Sequence, residues 1–407
     1  MTHRNLILAE GMFILLIASL AWSQGYPRPA IFSLAQPGQA TGEQPNNASL
    51  KWEIQFPLIH VNQQLDRGEQ TSVYDPGSNS MIVFGGDLLG SASPMNDVLS
   101  LSYANGSSGQ FGSNWTTLIP PNQPGSPSPR AGHTAIYDAA NNIMTIFAGC
   151  IGLGACGVND VWTLSHANGL GGTPAWTQLA TAGTAPAARY GNVAAYDPAS
   201  NRMIVFGGLD NNGNLLSDLW ILENANGLGG TPTWVQLAPS GTAPAGKLWL
   251  SATYDVTHNI VTIFGGMVSY FGKVTNGVWT LSNANGLGGT PTWTQLIADG
   301  APGSPARRYG HIAVFDPASN RMTVFGGASN TALEFPALND AWVLSNANGS
   351  GGTPAWTRLH PSKSPPAGRF WHTAIYDSGS NNMTVYGGGS DEGTFLSVWI
   401  LGDANGQ

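Results

Sequence analysis

The residues with the most chemical capacity recur at regular spacing. Arg67, Arg130, Arg189, Lys247, Arg308 and Arg369 stand about 60 residues apart, in a chain of 407 residues with only 15 Lys and Arg. Guanidinium groups hold carboxylate or sulfate oxygens bidentately, so such a series suits an anionic ligand; equally, it could brace the structure from within. Aromatic residues accompany it: Tyr190, Trp249, Tyr309, Phe370 and Trp371. With Tyr270, Phe271 and Phe335 they could stack on a sugar ring, or wedge between neighbouring structural units. Three residues after each basic position come Gln70, His133, Asn192, Leu250, His311 and His372. Metal ligands must converge to about 2.1 Å from one ion, and only His311 and His372 fall in adjacent copies. Hydrogen bonding to backbone is therefore the reading adopted for the histidines.

Acid–base candidates are Asp87, Asp210, Glu334, Asp391 and Glu392. No separation can be assigned to any pair of them, so glycosidase logic does not apply. Asp210 to Asn214 is similar to the start of a calcium loop but lacks the later Glu ligand, and reads as a hairpin turn. Gly-x-Ser-x-Gly and phosphate-cradling glycine motifs are absent, and no cofactor is expected. Cys150 and Cys156 share the short loop CIGLGAC, where an exported protein would form a local disulfide; two free thiols are the alternative. A net charge of -8 argues against nucleic-acid binding.

The elements that must position these residues are short strands. Gly (54 residues), Pro (27) and an apolar fraction of 42%, with only 9% charged residues, suit an all-β chain and not a disordered one. The clearest copy of the repeat, Arg308 to Gly327, reads as a β-hairpin: strands HIAVF and MTVF, a turn set by Asp316-Pro317 and closed by a left-handed Asn320, and a terminal glycine pair. The aromatic before the pair recurs as Phe84, Phe147, Phe206, Phe264, Phe325 and Tyr386, with Ala148-Gly149 the one degenerate pair. A third strand follows each pair. A fourth carries Trp115, Trp176, Trp234, Trp293 or Trp356 in the first five copies, and the sixth lacks one. Trp52 lies 32 residues before Phe84, the offset of Trp115 to Phe147, so the N-terminal strand is expected to finish the last sheet and remove an open edge.

These features resemble kelch repeats: an Arg-x-x-His start, an apolar strand ending in Gly-Gly, and spaced aromatics on strands three and four. The resemblance spans residues 50–402 in six copies and implies an all-β, six-bladed kelch-type β-propeller, its last blade closed by the N-terminal strand. The longer links between strands three and four, such as Ser282 to Pro291, extend the period beyond the usual kelch value of about 50. The expected organisation is a signal peptide over residues 1–23, cleaved after Ser23 or Ala35 or retained as an anchor, a flexible leader over 24–48, and the propeller over 49–407. A secreted, periplasmic or cell-surface location follows, with no membrane span after cleavage.

In a four-stranded meander, loops one–two and three–four share one face of the ring. Those loops repeat almost unchanged as DPASN and ANGLGGTP, which implies a repeated structural task. The two–three loops differ between copies, as in Asp87 to Met95 and Leu209 to Leu216, and with the four–one loops they are placed on the binding face. The function expected is a non-catalytic module binding a glycan, an anionic small molecule, a peptide or a protein partner there, through the basic and aromatic residues above. The resemblance also allows a carbohydrate-active enzyme like the sialic acid mutarotases. It reaches galactose oxidase too, but no copper-oxidase ligand set is recognisable, and no metal is expected.

Overall fold

The computed structural model describes residues 49–55, 65–88, 93–107, 115–152, 154, 156–269, 272–329 and 336–407. The signal and leader segments, and Tyr270, Phe271, Glu334 and Phe335, lie outside them. The hairpins form where the turn chemistry required. Ile312–Asp316 pairs antiparallel with Arg321–Phe325, the Asp316 carboxylate accepts the Ala318 N–H at 3.1 Å, and Asn320 takes φ 52°.

The repeats build six antiparallel four-stranded blades. Their innermost strands are Thr71–Asp75, Thr134–Asp138, Val193–Asp197, Ser251–Asp255, Ile312–Asp316 and Phe370–Asp377. These neighbour one another in order, and the first meets the last, so the ring closes. Trp52–Gln55 pairs antiparallel with Val398–Leu401, with Trp52 opposite Leu401, and completes blade six. The chain is therefore a six-bladed β-propeller.

The repeated aromatics explain the radial packing. Each outermost-strand Trp lies on the aromatic that ends strand two of the preceding blade. The ring centroids are 4.6 Å apart for Trp115 and Tyr386, 4.8 Å for Trp176 and Phe84, 4.8 Å for Trp234 and Phe147, 5.0 Å for Trp293 and Phe206, and 4.9 Å for Trp356 and Phe264. The sixth pair, Trp52 on Phe325 at 4.7 Å, exists because the N-terminal strand supplies its tryptophan. Such pairs add about 0.5–1.5 kcal/mol each beyond the apolar area they bury.

The face bearing the near-identical loops carries a repeated structural bond. Asn105, Asn168, Asn226, Asn285, Asn348 and Asn405, from the links after strand three, each donate a side-chain N–H to the turn aspartate of the preceding blade. The acceptors are Asp377, Asp75, Asp138, Asp197, Asp255 and Asp316, at 2.6–2.7 Å. A turn asparagine of the same blade, such as Asn320 for Asn348, holds each link residue in place. These bonds form a closed circuit of blade-to-blade clasps. Elsewhere, Cys150 and Cys156 form a disulfide in the two–three loop of blade two. Among the described residues, no helix is long and apolar enough to cross a membrane.

Candidate functional site

On the opposite face, the basic series is not a ligand-binding ring. Arg67, Arg130, Arg189 and Arg308 are no more than 1% exposed. Each folds back into its own blade, where Nη1 donates to the main-chain carbonyl of Gly85, Ala148, Gly207 or Gly326 at 2.9–3.0 Å. Both Nη groups engage the aspartate that precedes strand three: Asp97, Asp160, Asp218 or Asp340, at 2.7–2.9 Å. Burial works against ionisation of Asp160 and Asp218, yet the guanidinium bonds hold both below the usual carboxylate range. In blades four and six the partner is missing, because Gly277 and Ser397 stand where the others have Asp. Lys247 donates instead to Gly265 O at 2.9 Å and Thr275 Oγ1 at 2.8 Å, and burial pulls its amine down to about 8. Arg369 donates to Gly387 O at 2.9 Å and Ser397 Oγ at 3.3 Å and lies 4.5 Å over the Phe395 ring; burial lowers it to about 10.

The expectation that Arg67, Arg130, Arg189, Lys247, Arg308 and Arg369 contact a ligand is therefore corrected: all six are desolvated and bonded within their blades. They brace the fold. Their carbonyls also tie blade to blade, because the second residue of each glycine pair donates to the next blade's basic residue, as Gly86 N–H does to Arg130 O at 2.9 Å and Gly388 N–H to Arg67 O at 2.8 Å. That glycine needs its positive φ, 96° in Gly86, to aim the N–H outward from the blade.

Two of the histidines, His133 and His311, are also interior braces that bond side-chain hydroxyls of the preceding blade. His133 Nε2 lies 2.7 Å from Thr71 Oγ1, and His311 Nε2 lies 2.8 Å from Ser251 Oγ. Burial, and then the neighbouring Arg130 or Arg369, pushes His133 and His372 down to about 3, so both are neutral. Among the described residues, no group of three or more His, Cys, Asp or Glu could hold a metal ion. Asp210 accepts the N–H groups of Asn212 and Asn214, the hairpin turn expected of it.

What reaches the surface on this face is the axis. Two residues after each basic position the backbone is left-handed: Glu69 (φ 56°), Gly132 (62°), Gly191 (64°), Trp249 (52°), Gly310 (60°) and Trp371 (56°). Each N–H donates at 2.7–2.9 Å to the carbonyl of its counterpart in the preceding blade, with Glu69 closing onto Trp371. A six-membered ring of main-chain hydrogen bonds thus encircles the axis. Three of its positions are glycine. The other three carry side chains in a conformation costing L-residues about 1–2 kcal/mol, and strain of this kind concentrates at functional sites.

Those side chains meet the aromatics expected to line a site. Trp249 lies over Gly191 and Trp371 over Gly310, so close that a Cβ there would come within 3.0 and 2.9 Å of the indoles. Ring centroids are 4.8 Å apart for Trp249 and Trp371, 5.8 Å for Trp249 and Tyr309, 4.8 Å for Phe370 and Trp371, and 6.4 Å for Tyr190 and Trp249. Tyr309 is buried; the other four are half-buried, so the cluster is a wedge between blades and a surface at once. Glu69 reaches over the ring, with Oε2 3.2 Å from where a Gly132 Cβ would stand. Burial, and then the charge of Asp87, pushes its carboxyl up to about 8. Burial, and then Glu69, raises the Tyr309 hydroxyl. Reading the sequence did not single out Glu69. Its signal was positional: glycine fills the matching place in three of the six copies.

Sheet count, blade order and repeat chemistry define a kelch-type β-propeller. The sequence profile described as the Attractin/LZTR1 beta-propeller matches residues 171–394, more than half of the chain. The chain belongs to that family. It is 31% identical over 238 residues to the serine/threonine-protein phosphatase BSL2 of Arabidopsis thaliana, covering 58% of this chain and 21% of that protein. It is 26% identical over 335 residues to Adagio-like protein 1 of Oryza sativa subsp. japonica, covering 79% and 47%. It is 30% identical over 229 residues to Host cell factor 1 of Homo sapiens, covering 53% and 10%. The chain thus spans less than half the length of each of these relatives. The solved structure of YjhT matches with a TM-score of 0.59 at 16% identity, over 84% of this chain and 97% of that one, a likeness of fold.

Proposed function

We propose that this chain is an exported, non-catalytic interaction module that takes a glycan or peptide on the face carrying the axial ring. One observation carries the reading. One face repeats the same Asn–Asp clasp in every blade, whereas the other sets Tyr190, Trp249, Phe370 and Trp371, half-buried, around Glu69 on a rigid, hydrogen-bonded ring whose side chains differ from blade to blade. Half-exposed aromatics with one polar group at their centre are the usual makings of a recognition site. Screening glycan and peptide arrays with the chain tests this. Saturable binding lost in Trp249→Gly and Trp371→Gly is expected; binding unchanged in both would overturn the site.

The runner-up, an enzyme acting on an acidic sugar in the manner of the mutarotases, loses the cationic ring that favoured it. In its favour stands Glu69, a carboxyl poised near neutrality in an aromatic setting, as general acids and bases are. NMR-detected anomer interconversion of sialic acid, abolished by Glu69→Gln, would favour it over the module.

A further inference from the structure

We infer that the outer edges of blades two and five each take an extended peptide strand of a partner protein, glycine-bearing and rich in Ala, Ser and Thr, laid parallel to the outermost strand. This surface is separate from the axial ring and does not rest on it. The chain itself shows what such an edge accepts. The linker leaving blade two runs along the outermost strand of blade three. There Ala182 N–H donates to Pro232 O at 2.8 Å and Trp234 N–H donates to Ala182 O at 2.9 Å, a parallel pairing with Thr233. The linker leaving blade three does the same to blade four: Ser240–Gly241 pairs parallel with Thr292 and Trp293, and Ser240 N–H donates to Pro291 O at 2.8 Å. Both caps need glycine after the pairing residue. Gly183 and Gly241 sit at φ 77° and 81°, and a Cβ on either would run into the carbonyl oxygen of Trp234 or Trp293.

Blades two and five lack this cover. Among the described residues, no linker pairs with the outer edge of Ala175–Gln178 or Ala355–Arg358. The linkers that would reach them, from blades one and four, are tied back to their own blades. Asn122 N–H donates to Asn96 Oδ1 at 2.8 Å, and Gly300 N–H donates to Asn276 Oδ1 at 2.7 Å. Each linker then curls through a turn, with Ser126 N–H on Gln123 O and Ser304 N–H on Ala301 O. The consequence is exposure. Trp234 and Trp293, under caps, are 3% and 4% exposed, and Pro232 and Pro291 are buried. Trp176 and Trp356, with Pro174 and Pro354, are only half-buried. The sequence marks the difference: the capped strands read Pro-Thr-Trp and the open ones Pro-Ala-Trp. In blade four that threonine hydroxyl, on Thr292, lies 2.7 Å from Ser240 Oγ of the cap.

An unpaired edge is a template for another strand, and in strand addition the main-chain bonds supply affinity while side-chain fit supplies specificity. The Trp176 and Trp356 N–H groups and the Pro174 and Pro354 carbonyls hold the places that donate and accept in the capped blades. The occupant must bring glycine and small neighbours, because that is what lets a strand approach the tryptophan carbonyl so closely. Blade six illustrates the requirement. It receives the first of the two bonds, Ser362 N–H to Leu50 O at 3.0 Å, from a linker that has Lys363 where the caps have glycine. Blades two and five are three apart in the closed ring of six, so one chain presents its two open edges on opposite sides.

The test is NMR of the full chain, isotope-labelled at tryptophan. In the free, dilute protein, amide hydrogen exchange should be fast at Trp176 and Trp356 and slow at Trp234 and Trp293. The probe is the acetylated, amidated peptide Ala-Thr-Ala-Gly-Thr-Ala-Pro, copied from residues 180–186. At millimolar concentration it should shift the main-chain signals of Trp176 and Trp356 saturably and slow their exchange, leaving Trp234 and Trp293 unmoved. The same peptide with alanine in place of glycine should bind roughly tenfold more weakly, the cost of a left-handed alanine. A second peptide, Ala-Pro-Ser-Gly-Thr-Ala-Pro from residues 238–244, should bind about fivefold more tightly to the double variant Ala175→Thr, Ala355→Thr, through one added hydrogen bond at each edge. Threonine suits those positions, because Thr233 and Thr292 occupy them in blades three and four. Slow exchange at Trp176 and Trp356 in the free chain, no saturable shift, or equal binding of the alanine peptide overturns the inference. Protection that instead rises with the concentration of the chain alone would make the occupant a second copy and overturn the partner assigned here.

Discussion

Blade four lacks a carboxylate that four other blades have, and restoring it should stabilise the protein. Lys247 is 3% exposed, and burial lowers its amine from 10.5 to about 8. At about 1.4 kcal/mol for each tenfold change, holding that amine charged at neutral pH costs roughly 3 kcal/mol. Gly277 occupies the place of Asp340, one residue before strand three. A Cβ at Gly277 would meet Ile297 O at 3.4 Å, Asp299 N at 3.5 Å and Trp279 Nε1 at 3.6 Å, all ordinary contacts. Gly277→Asp therefore places a carboxylate beside Lys247 and offers an acceptor to the Trp279 indole, as Asp340 does for Trp342 at 2.7 Å. After the new carboxylate's own desolvation, a net gain of about 2 kcal/mol is expected at pH 7. The sign with pH follows. Between about 8 and 10.5 the unfolded chain binds the lysine proton and the folded chain does not, so the parent gains stability as pH rises through that window. The variant should lose that slope. Urea unfolding followed by tryptophan fluorescence at pH 7 and pH 10, with Gly277→Ala as the backbone control, measures both effects. A variant no more stable than Gly277→Ala, with the alkaline slope intact, would refute the view of Lys247 as a buried, uncompensated cation.

Three further outcomes are expected. Asn405→Ala removes one clasp and leaves the buried Asp316 carboxylate without that donor, costing about 1–3 kcal/mol and speeding proteolysis at the junction of blades five and six. Trp52→Ala empties a fully buried site against Phe325, and should cost about 3–5 kcal/mol in urea unfolding; a loss under 1 kcal/mol would show that the N-terminal strand does not secure closure. His372 is neutral and titrates at about 3 when folded against an ordinary 6.5, so the unfolded state takes up its proton first and stability falls as pH drops below about 6.5. His372→Gln, copying Gln70 of blade one, should flatten the fall in Tm between pH 6.5 and 4.5.

The local alphabet was enough for the blades. Asp-Pro and Asn specify a turn through their own backbone preferences, Gly-Gly specifies positive φ, and alternating Val, Ile and aromatics specify a pleated strand; each acts over a few residues and needs no distant partner. Counting tryptophans was enough for closure, because a sheet short of one strand and a strand short of a sheet have one economical solution. The fate of the six basic residues was not legible. Arg308 and Asp340 are 32 residues apart, and whether a guanidinium faces solvent or a carboxylate behind it depends on how three strands of one blade converge. The sequence showed six cations in register, and only the folded blade decided that all six turn inward, four of them onto aspartates and two onto carbonyls and hydroxyls. Glu69, Trp249 and Trp371 were scattered among blades one, four and six until ring closure brought them to one axis. Periodicity is a property of the chain and can be read along it; a site at the centre of a propeller is a property of the circle and exists only once that circle has closed.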